Sequence, residues 1–297
     1  MVERVTMAKE RVAEGATVRA ACAATGTSTS TYYRQRQGRS RGPLNPDVER
    51  TLAAMCERYP AFGYRKIDAL LRREGHGFNH KRVYRYMRRL NRLQPRRRAA
   101  SPATPRLPVS CPVTPNTRWE MDLKCEVLAD GRWGFLMAIL DACDRQVPAW
   151  LISDHCRSDE AIAVLEEALL ARFDGPAPDG LTLELRVDRG PQFIARRFKA
   201  AARALGVELA FCGVRASNDK PFIEAFFAVV EQELLAREPS ALDSLEAFQL
   251  SFTRFIDFYH NERPIGTAGY RTPRELGEPD RIATTQVPEI TLIPCPT

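Results

Sequence analysis

The chain of 297 residues is 44% hydrophobic and 27% charged, which is ordinary for a globular protein with room for two or three domains. The N-terminus is polar and apolar runs stay below the roughly 18 residues of a membrane-spanning helix, so we expect a soluble cytoplasmic protein without signal peptide or membrane anchor. Eight scattered cysteines without a Cys-x-x-Cys pair predict reduced thiols rather than a disulfide framework.

The net charge of +7 is distributed unevenly along the chain. Residues 1–100 hold 23 Lys and Arg against 8 Asp and Glu, whereas residues 101–297 hold 21 against 29. A basic half of this kind is typical of a protein that binds nucleic acid. The simpler interpretation is a charged face that only contacts solvent.

Residues 1–40 predict a small helical, helix-turn-helix-like region. Helices over Val18–Ala24 and Ser28–Arg36 flank a Thr-Gly-Thr turn, with Ser or Thr available as caps. An ordinary helical hairpin that reads no DNA is the alternative.

Residues 44–94 predict a basic helix-turn-helix DNA-binding domain. Its last helix is capped by Asn79, and Val83, Met87 and Leu90 form the expected buried stripe. His76 and His80 have a spacing found in zinc sites, but no cysteine pair is near, and we interpret them as loop and helix-start residues. The candidate DNA contacts lie on this helix and the one before it, and their division between bases and phosphates stays open: Arg65, Lys81, Arg82, Arg85 and Arg89.

Residues 95–117 contain six prolines and an Arg triplet, which predicts an extended linker, and the tail 278–297 is predicted to be poorly ordered. Between them, residues 118–277 predict an α/β catalytic domain. It starts with an alternating strand in which Trp119, Met121, Leu123 and Val127 share one face and Asp122 the other.

The rest of this domain is predicted to form further strands and helices. Asp130-Gly131 predicts a hairpin, followed by strands over Trp133–Leu140 and, at a sheet edge, Val147–Ile152. Ser158 is a predicted cap of the next helix, and a strand over Leu181–Val187 ends on Asp188. The remaining predicted elements are a helix to about Leu205, a strand over Val207–Phe211, and a helix capped by Asn218 or Asp219 with Glu224 in its first turns.

Asp122, Asp188 and Glu224 are therefore the candidate catalytic and metal-binding residues. Carboxylates are the ligands that Mg²⁺ prefers, and two ions roughly 3.5–4 Å apart can activate an attacking hydroxyl and stabilise a leaving oxygen. The alternative is that these residues are a surface Asp, a turn Asp and a helix-start Glu. With 37 acidic residues in the chain, their spacing alone does not decide between the two.

Four stretches in this order resemble the catalytic core of bacterial insertion-sequence transposases of the OrfB type, whose core is similar to retroviral integrases. They are Trp119–Asp122, Val187–Phe193, Phe222–Phe227, and Tyr259–Pro264 followed by Thr272-Pro273. Upstream, residues 59–67 and 81–87 resemble the helix-turn-helix that precedes such cores. The resemblance implies an α/β RNase H-like (retroviral integrase-type) catalytic core with an N-terminal all-α helix-turn-helix region.

The resemblance further implies metal-dependent strand cleavage by water and strand transfer by a 3′-hydroxyl, with Mg²⁺, or Mn²⁺ as a substitute, held by the three carboxylates. The implied partners are double-stranded DNA at element ends and target, further copies of this chain on the DNA, and an upstream-frame helix-turn-helix protein or fusion. The implied location is the bacterial nucleoid.

Three residues depart from the family pattern. Lys220 replaces an Asn four residues before Glu224, Ile265 replaces a His, and Glu231 stands where Lys or Arg meets the DNA end. Lys220 is a candidate replacement for that DNA contact. The departures keep open a catalytically silent DNA-binding repressor or domesticated relic, and an RNase H-type nuclease is the third interpretation.

Overall fold

The computed structural model describes residues 2–36, 45–95, 111–213 and 219–278. Most of the predicted linker, the candidate cap Asn218 and the predicted tail beyond Glu278 lie outside these residues. The described chain divides into two compact units, residues 1–51 and 52–297. No helix in the described part of the chain is long and apolar enough to cross a membrane.

The first unit is a small helical bundle of α1 (Val2–Ala13), α2 (Val18–Thr25) and α3 (Thr29–Arg36). The Thr17 hydroxyl accepts the Ala20 N–H at the start of α2, and Gly26 ends that helix at φ 60°, where a side chain would be strained. A small core closes the bundle, and both helices predicted for this region are present. Its buried members are Ala8, Ala21, Cys22 and Tyr32.

The second unit begins within α4 (Pro46–Arg58) and continues into α5 (Tyr64–Arg73) and α6 (His80–Arg89). Asn79 caps α6, as predicted, by accepting the Lys81 N–H at 2.9 Å. The buried stripe of α6 is Val83, Tyr86 and Met87. Leu90, predicted to belong to it, instead ends the helix and is half-buried, because the chain turns away at that point.

A five-stranded sheet in the order β3-β2-β1-β4-β5 forms the centre of this unit. β2 lies antiparallel to both β1 and β3, whereas β4 and β5 run parallel to β1. Gly131, at φ 81°, makes the predicted hairpin between β1 and β2. The strands are β1 (Arg118–Val127), β2 (Trp133–Asp141), β3 (Ala149–Ser153), β4 (Leu183–Val187) and β5 (Val207–Phe211).

Helices cover both faces of the sheet. On one face, α7 and α9 pack on a core that includes Trp119 and Met121, and on the other face α10 and α11 pack on a core that includes Ala138 and Leu140. The helices are α7 (Ser158–Phe173), α8 (Pro191–Ile194), α9 (Arg196–Ala204), α10 (Pro221–Val229), α11 (Leu245–Asn261) and α12 (Pro273–Gly277). A π-helical turn (Val230–Leu235) extends α10, and 3₁₀ turns occupy Pro239–Leu242 and Gly266–Ala268.

Besides that of Leu90, three local predictions in the catalytic core were wrong. Ser158 is the first residue of α7 rather than its cap, because the Glu160 carboxylate reaches back to the Arg157 N–H at 2.8 Å. The helix predicted up to Leu205 breaks at Ala195, whose ψ of 138° is extended. Val127, predicted to share a buried face, is 51% exposed at the hairpin end of β1, where its strand partner Trp133 is 54% exposed.

His260, on α11, is half-buried and neutral at pH 7. Its Nε2 accepts the Val147 N–H at 2.9 Å, and burial lowers its pKa to about 4, helped by the charges of Arg172 and Arg274. A pKa below the value in the unfolded chain means that protonation favours unfolding. The stability from neutral His260 is therefore present above about pH 6.5 and is lost as the pH falls towards 4.

We expect acidification from pH 7 to 4.5 to destabilise the wild type more than a His260→Gln variant, whose amide oxygen can accept the same hydrogen bond without titrating. The full linkage is worth about 3 kcal/mol. Urea unfolding at both pH values measures the difference. Equal losses in the two proteins would show that His260 is not the acid-sensitive group.

Candidate functional site

The first candidate carboxylate lies in the middle of the sheet. Asp122 on β1 pairs with Ala138 on β2 and so faces α10 and α11 rather than the core of Trp119 and Met121. Its side chain is 19% exposed, and its Oδ1 accepts the Leu123 N–H at 3.0 Å. The carboxylate is thus held at a fixed point on the sheet.

The second carboxylate follows the neighbouring parallel strand. Asp188 comes directly after β4, and its Oδ1 accepts the Gly190 N–H at 2.7 Å in a tight turn before α8. A Cβ on Gly190 would lie 2.9 Å from that oxygen and 2.6 Å from the Gln192 amide, so a larger residue would displace these two side chains. The end of a parallel strand in an open sheet is a common place for ligand-binding residues.

The third carboxylate, Glu224, is exposed in the first turn of α10. Lys220 occupies the N-cap position without a side-chain cap hydrogen bond, and Asp219, one of the two predicted caps, accepts the Gly213 N–H at 2.9 Å instead; Asn218, the other, lies outside the described residues. Instead, Glu120 on β1 accepts the N–H groups of Phe222 at 2.9 Å and Ile223 at 2.8 Å through a single oxygen. Sequence analysis missed this contact because it joins residues about a hundred positions apart.

Glu120 therefore fixes the helix of Glu224 to the strand of Asp122. The Glu120 side chain is fully buried, and burial raises its pKa to about 7 despite the two backbone hydrogen bonds. The sequence signal for this role is an acidic residue within the alternating apolar pattern of β1. Glu120 is a positioning residue, because it contacts the backbone of α10 and not the exposed face of Glu224.

We expect Glu120→Ala to destabilise the protein by about 1–3 kcal/mol, since it leaves two buried helix N–H groups without an acceptor. Glu120→Gln is the matched control, because an amide oxygen can accept both hydrogen bonds. Urea unfolding compares the two, and equal stability of the wild type and Glu120→Ala would remove Glu120 from this role.

Lys220 lies among the carboxylates. Its Nζ is 2.8 Å from Asp122 Oδ1, 3.9 Å from Asp188 Oδ2, and donates to the Met121 carbonyl at 3.2 Å. The side chain is 7% exposed and points inward, so the ammonium proposed for a DNA contact is directed at Asp122 in this arrangement. Burial raises the pKa of Glu224, the charge of Asp122 adds to the rise, and Lys220 opposes it.

The three carboxylates are thus electrostatic neighbours, although they do not converge on a single point. In the described part of the chain, no three His, Cys, Asp or Glu side chains are arranged to hold one metal ion. The three side chains nevertheless suit a hard divalent cation as ligands, because all of them offer carboxylate oxygens. Two of these carboxylates, Asp122 and Asp188, already face one cationic nitrogen.

A buried ion network joins the helix-turn-helix to the segment that follows α10. Glu233, in the π-helical turn, accepts two hydrogen bonds from Arg263 at 2.7 and 2.9 Å and one from Lys66 of α5 at 3.1 Å. Burial raises the pKa of Glu233, but the Arg263 and Lys66 contacts outweigh it and hold the pKa below its usual range. Burial, aided by the Arg263 charge, lowers the pKa of Lys66 to about 8.

Glu231, the residue that departs from the family pattern, is 67% exposed and lies 3.9 Å from Lys124 of β1. Lys124 also contacts Glu126 at 2.7 Å. The negative charge at position 231 is therefore accompanied by a positive charge from the neighbouring strand.

The helix-turn-helix presents a basic surface. Lys81 and Arg89 are exposed on α6, and Arg65 is exposed on α5. Arg82 and Arg85 are half-buried, with their guanidinium groups against the Tyr86 ring at 5.7 and 5.5 Å. These five positive charges lie on α5 and α6, separate from the carboxylates.

Comparison with protein families identifies two domains in the chain. Residues 112–217 match the integrase core domain, and residues 46–100 match an HTH-like domain. The first match includes Asp122 and Asp188 and ends before Glu224. Together with the strand order and the helices on both faces of the sheet, this match establishes the predicted RNase H-like, integrase-type core, which follows a helical N-terminal region in the sequence.

Proteins similar to this chain include transposases and a retroviral integrase. The chain is 29% identical over 247 residues to the transposase InsD of insertion element IS2A/D/F/H/I/K from Escherichia coli, covering 80% of each, and equally to InsD of IS2D from strain K12. Among solved structures, a chain of the simian T-cell lymphotropic virus intasome complexed with PP2A regulatory subunit B56 gamma matches with a TM-score of 0.49, 17% identity and 80% coverage of both chains. The HTLV-2 integrase catalytic core domain in complex with magnesium matches at 0.43 and 15%, covering 55% of this chain and 97% of that one.

Proposed function

We propose that this chain, which joins an HTH-like domain to an integrase core domain and resembles IS2 transposases over four fifths of its length, is a DDE transposase. It binds the ends of an insertion sequence and catalyses metal-dependent DNA strand cleavage and strand transfer. Asp122, Asp188 and Glu224 are its catalytic residues. The proposed domains are 1–40, 44–94, a linker 95–117, the core 118–277 and a tail 278–297.

The observation that carries this proposal is that three carboxylates from β1, the end of β4 and the first turn of α10 are electrostatic neighbours. Asp122 and Asp188 face one ammonium nitrogen at 2.8 and 3.9 Å, and the pKa of Glu224 is raised by desolvation and further by the charge of Asp122. Surface acids or isolated helix caps would not share a counter-charge in this way. The shared charge favours a common ligand over three unrelated structural roles.

Asp122, Asp188 and Glu224 would hold Mg²⁺, or Mn²⁺ in its place. A divalent ion bound there supplies Lewis-acid activation of phosphate oxygens and of the attacking hydroxyl. The chain itself fixes the ligands: Leu123 N–H orients Asp122, Gly190 N–H orients Asp188, and Glu120 holds the helix of Glu224. Such fixed ligands lower the cost of reorganisation during the reaction.

The basic surface of α5 and α6 supplies DNA binding in this proposal. The residues that would contact phosphates and base edges are Arg65, Lys81, Arg82, Arg85 and Arg89. Lys220 would contact the DNA end only after its ammonium leaves Asp122. Further copies of this chain, and an upstream-frame helix-turn-helix protein, are proposed partners on paired ends. The proposed location is the bacterial nucleoid.

A nicking and joining assay on labelled DNA that contains the native element ends tests this function. We expect Mg²⁺-dependent cleavage at the ends and joining to a target duplex, both inhibited by chelator. Cleavage of the RNA strand of a hybrid without joining would instead assign the chain as an RNase H-type nuclease.

A catalytically silent DNA-binding repressor is the second candidate, and two observations favour it. The Lys220 ammonium contacts Asp122, and Glu231 places an exposed negative charge at the position where the resembled family has Lys or Arg. Specific binding of the element ends without cleavage or joining, even with the upstream partner supplied, would establish the repressor in place of the transposase.

A further inference from the structure

Lys220 makes two short contacts within the carboxylate cluster and one longer contact. Its Nζ lies 2.8 Å from Asp122 and 3.2 Å from the Met121 carbonyl, and only 7% of the side chain is exposed. Asp188, at 3.9 Å, lies beyond hydrogen-bond distance and interacts with the ammonium through charge alone. Lys220 is therefore a built-in part of the carboxylate cluster rather than a surface lysine.

The position of Lys220 in α10 ties it to the third carboxylate as well. It stands at the N-cap, one helical turn before Glu224, and its carbonyl accepts the Glu224 N–H at 3.2 Å. Three carboxylates bring a formal charge of −3, which one ammonium reduces to −2. The cluster is thus partly neutralised by the chain itself.

A divalent ion on the same carboxylates would compete with this ammonium. Both cations need the Asp122 carboxylate, whose side chain is 19% exposed, and like charges only a few ångströms apart repel each other. The Lys220 side chain has four rotatable methylene groups, so its ammonium can move while the backbone of α10 stays in place. One of the two cations must then leave Asp122.

We propose that Lys220 is a tethered counter-cation that occupies the carboxylate cluster in the free protein and must withdraw from Asp122 when a divalent ion binds. The inference rests on the proposed metal site. It makes the protein a weak binder of divalent ions in the absence of DNA. A DNA phosphate near the cluster would then favour the withdrawn lysine by offering it a new anionic partner.

Calorimetric titration of the full chain with Mn²⁺, without DNA, tests the proposal. We expect Lys220→Met and Lys220→Asn to bind Mn²⁺ about tenfold or more tightly than the wild type, because the competing charge is gone. Lys220→Arg keeps the charge and should bind as weakly as the wild type. Lys199→Asn removes an exposed lysine from α9 and serves as the charge-matched control.

A thermal measurement supplies the second readout. Without metal, Lys220→Met should melt at a lower temperature than the wild type, because the carboxylates lose their counter-charge. Mn²⁺ should raise its melting temperature more than that of the wild type, in proportion to the tighter binding.

The outcomes separate this inference from the metal site on which it rests. Equal Mn²⁺ affinity of the wild type, Lys220→Asn and Lys220→Met, with binding lost in Glu224→Gln, would overturn the counter-cation while keeping the site. Absence of Mn²⁺ binding in all these proteins would overturn the metal site and the inference together.

Discussion

Replacing any one of the three carboxylates, as in Asp122→Asn, Asp188→Asn or Glu224→Gln, should reduce strand cleavage and joining by about a thousandfold or more. The physical reason is that each amide removes a charged oxygen ligand from the metal, whose stabilisation of the transition state is worth several kcal/mol. DNA binding should change little, because the basic residues of α5 and α6 lie on other elements. Gel-shift and joining assays on the same DNA measure the two properties separately.

Glu231→Gln is the matched control for these variants, because it removes a carboxylate from the segment that follows α10 without touching the cluster. Its side chain is 67% exposed. We expect at least wild-type joining from it. Joining that survives unchanged in Asp122→Asn or Glu224→Gln would remove the carboxylate cluster from catalysis.

Replacing Glu233 by Leu should destabilise the protein by about 3–5 kcal/mol. The carboxylate is the shared acceptor of Arg263 and Lys66, and its side chain is only 10% exposed. Without it, the positive charges of Arg263 and Lys66, whose side chains are 9% and 22% exposed, lose the carboxylate that they share. Urea unfolding at neutral pH, followed by circular dichroism, measures the loss.

Glu231→Gln again provides the comparison, since it stands two residues away and in solvent. It should leave stability within about 0.5 kcal/mol of the wild type. Because Lys66 belongs to α5, the Glu233→Leu variant should also loosen the helix-turn-helix, visible as faster hydrogen exchange in α5. A loss of stability no larger than that of Glu231→Gln would mean that the network contributes little.

Local sequence signals predicted the elements well wherever neighbours in sequence determine the structure. The Asp130-Gly131 turn, the Asn79 cap and the strand Val207–Phe211 all depend on residues within a few positions, and all are present. The RNase H-like class followed from the motifs and is supported by the match over residues 112–217.

Contacts between distant segments could not be predicted from one sequence. The cap of α10 comes from Glu120, which reaches Phe222 across the fold, whereas the local pattern indicated Asp219. Lys220 was assigned to DNA by analogy, and its burial beside Asp122 depends on how α10 meets β1. Val127 lies at the end of β1, and the alternation of residues along a strand does not show which of its positions other elements cover.

In the proposed function, Asp122, Asp188 and Glu224 act together in metal-dependent strand transfer. The most direct test is joining of pre-cleaved, labelled element ends to a target duplex, with wild type and Glu224→Gln compared in Mg²⁺ and in chelator. We expect joined product only for the wild type in Mg²⁺, with equal DNA binding by both proteins. Joined product from Glu224→Gln, or from the wild type in chelator, would contradict it.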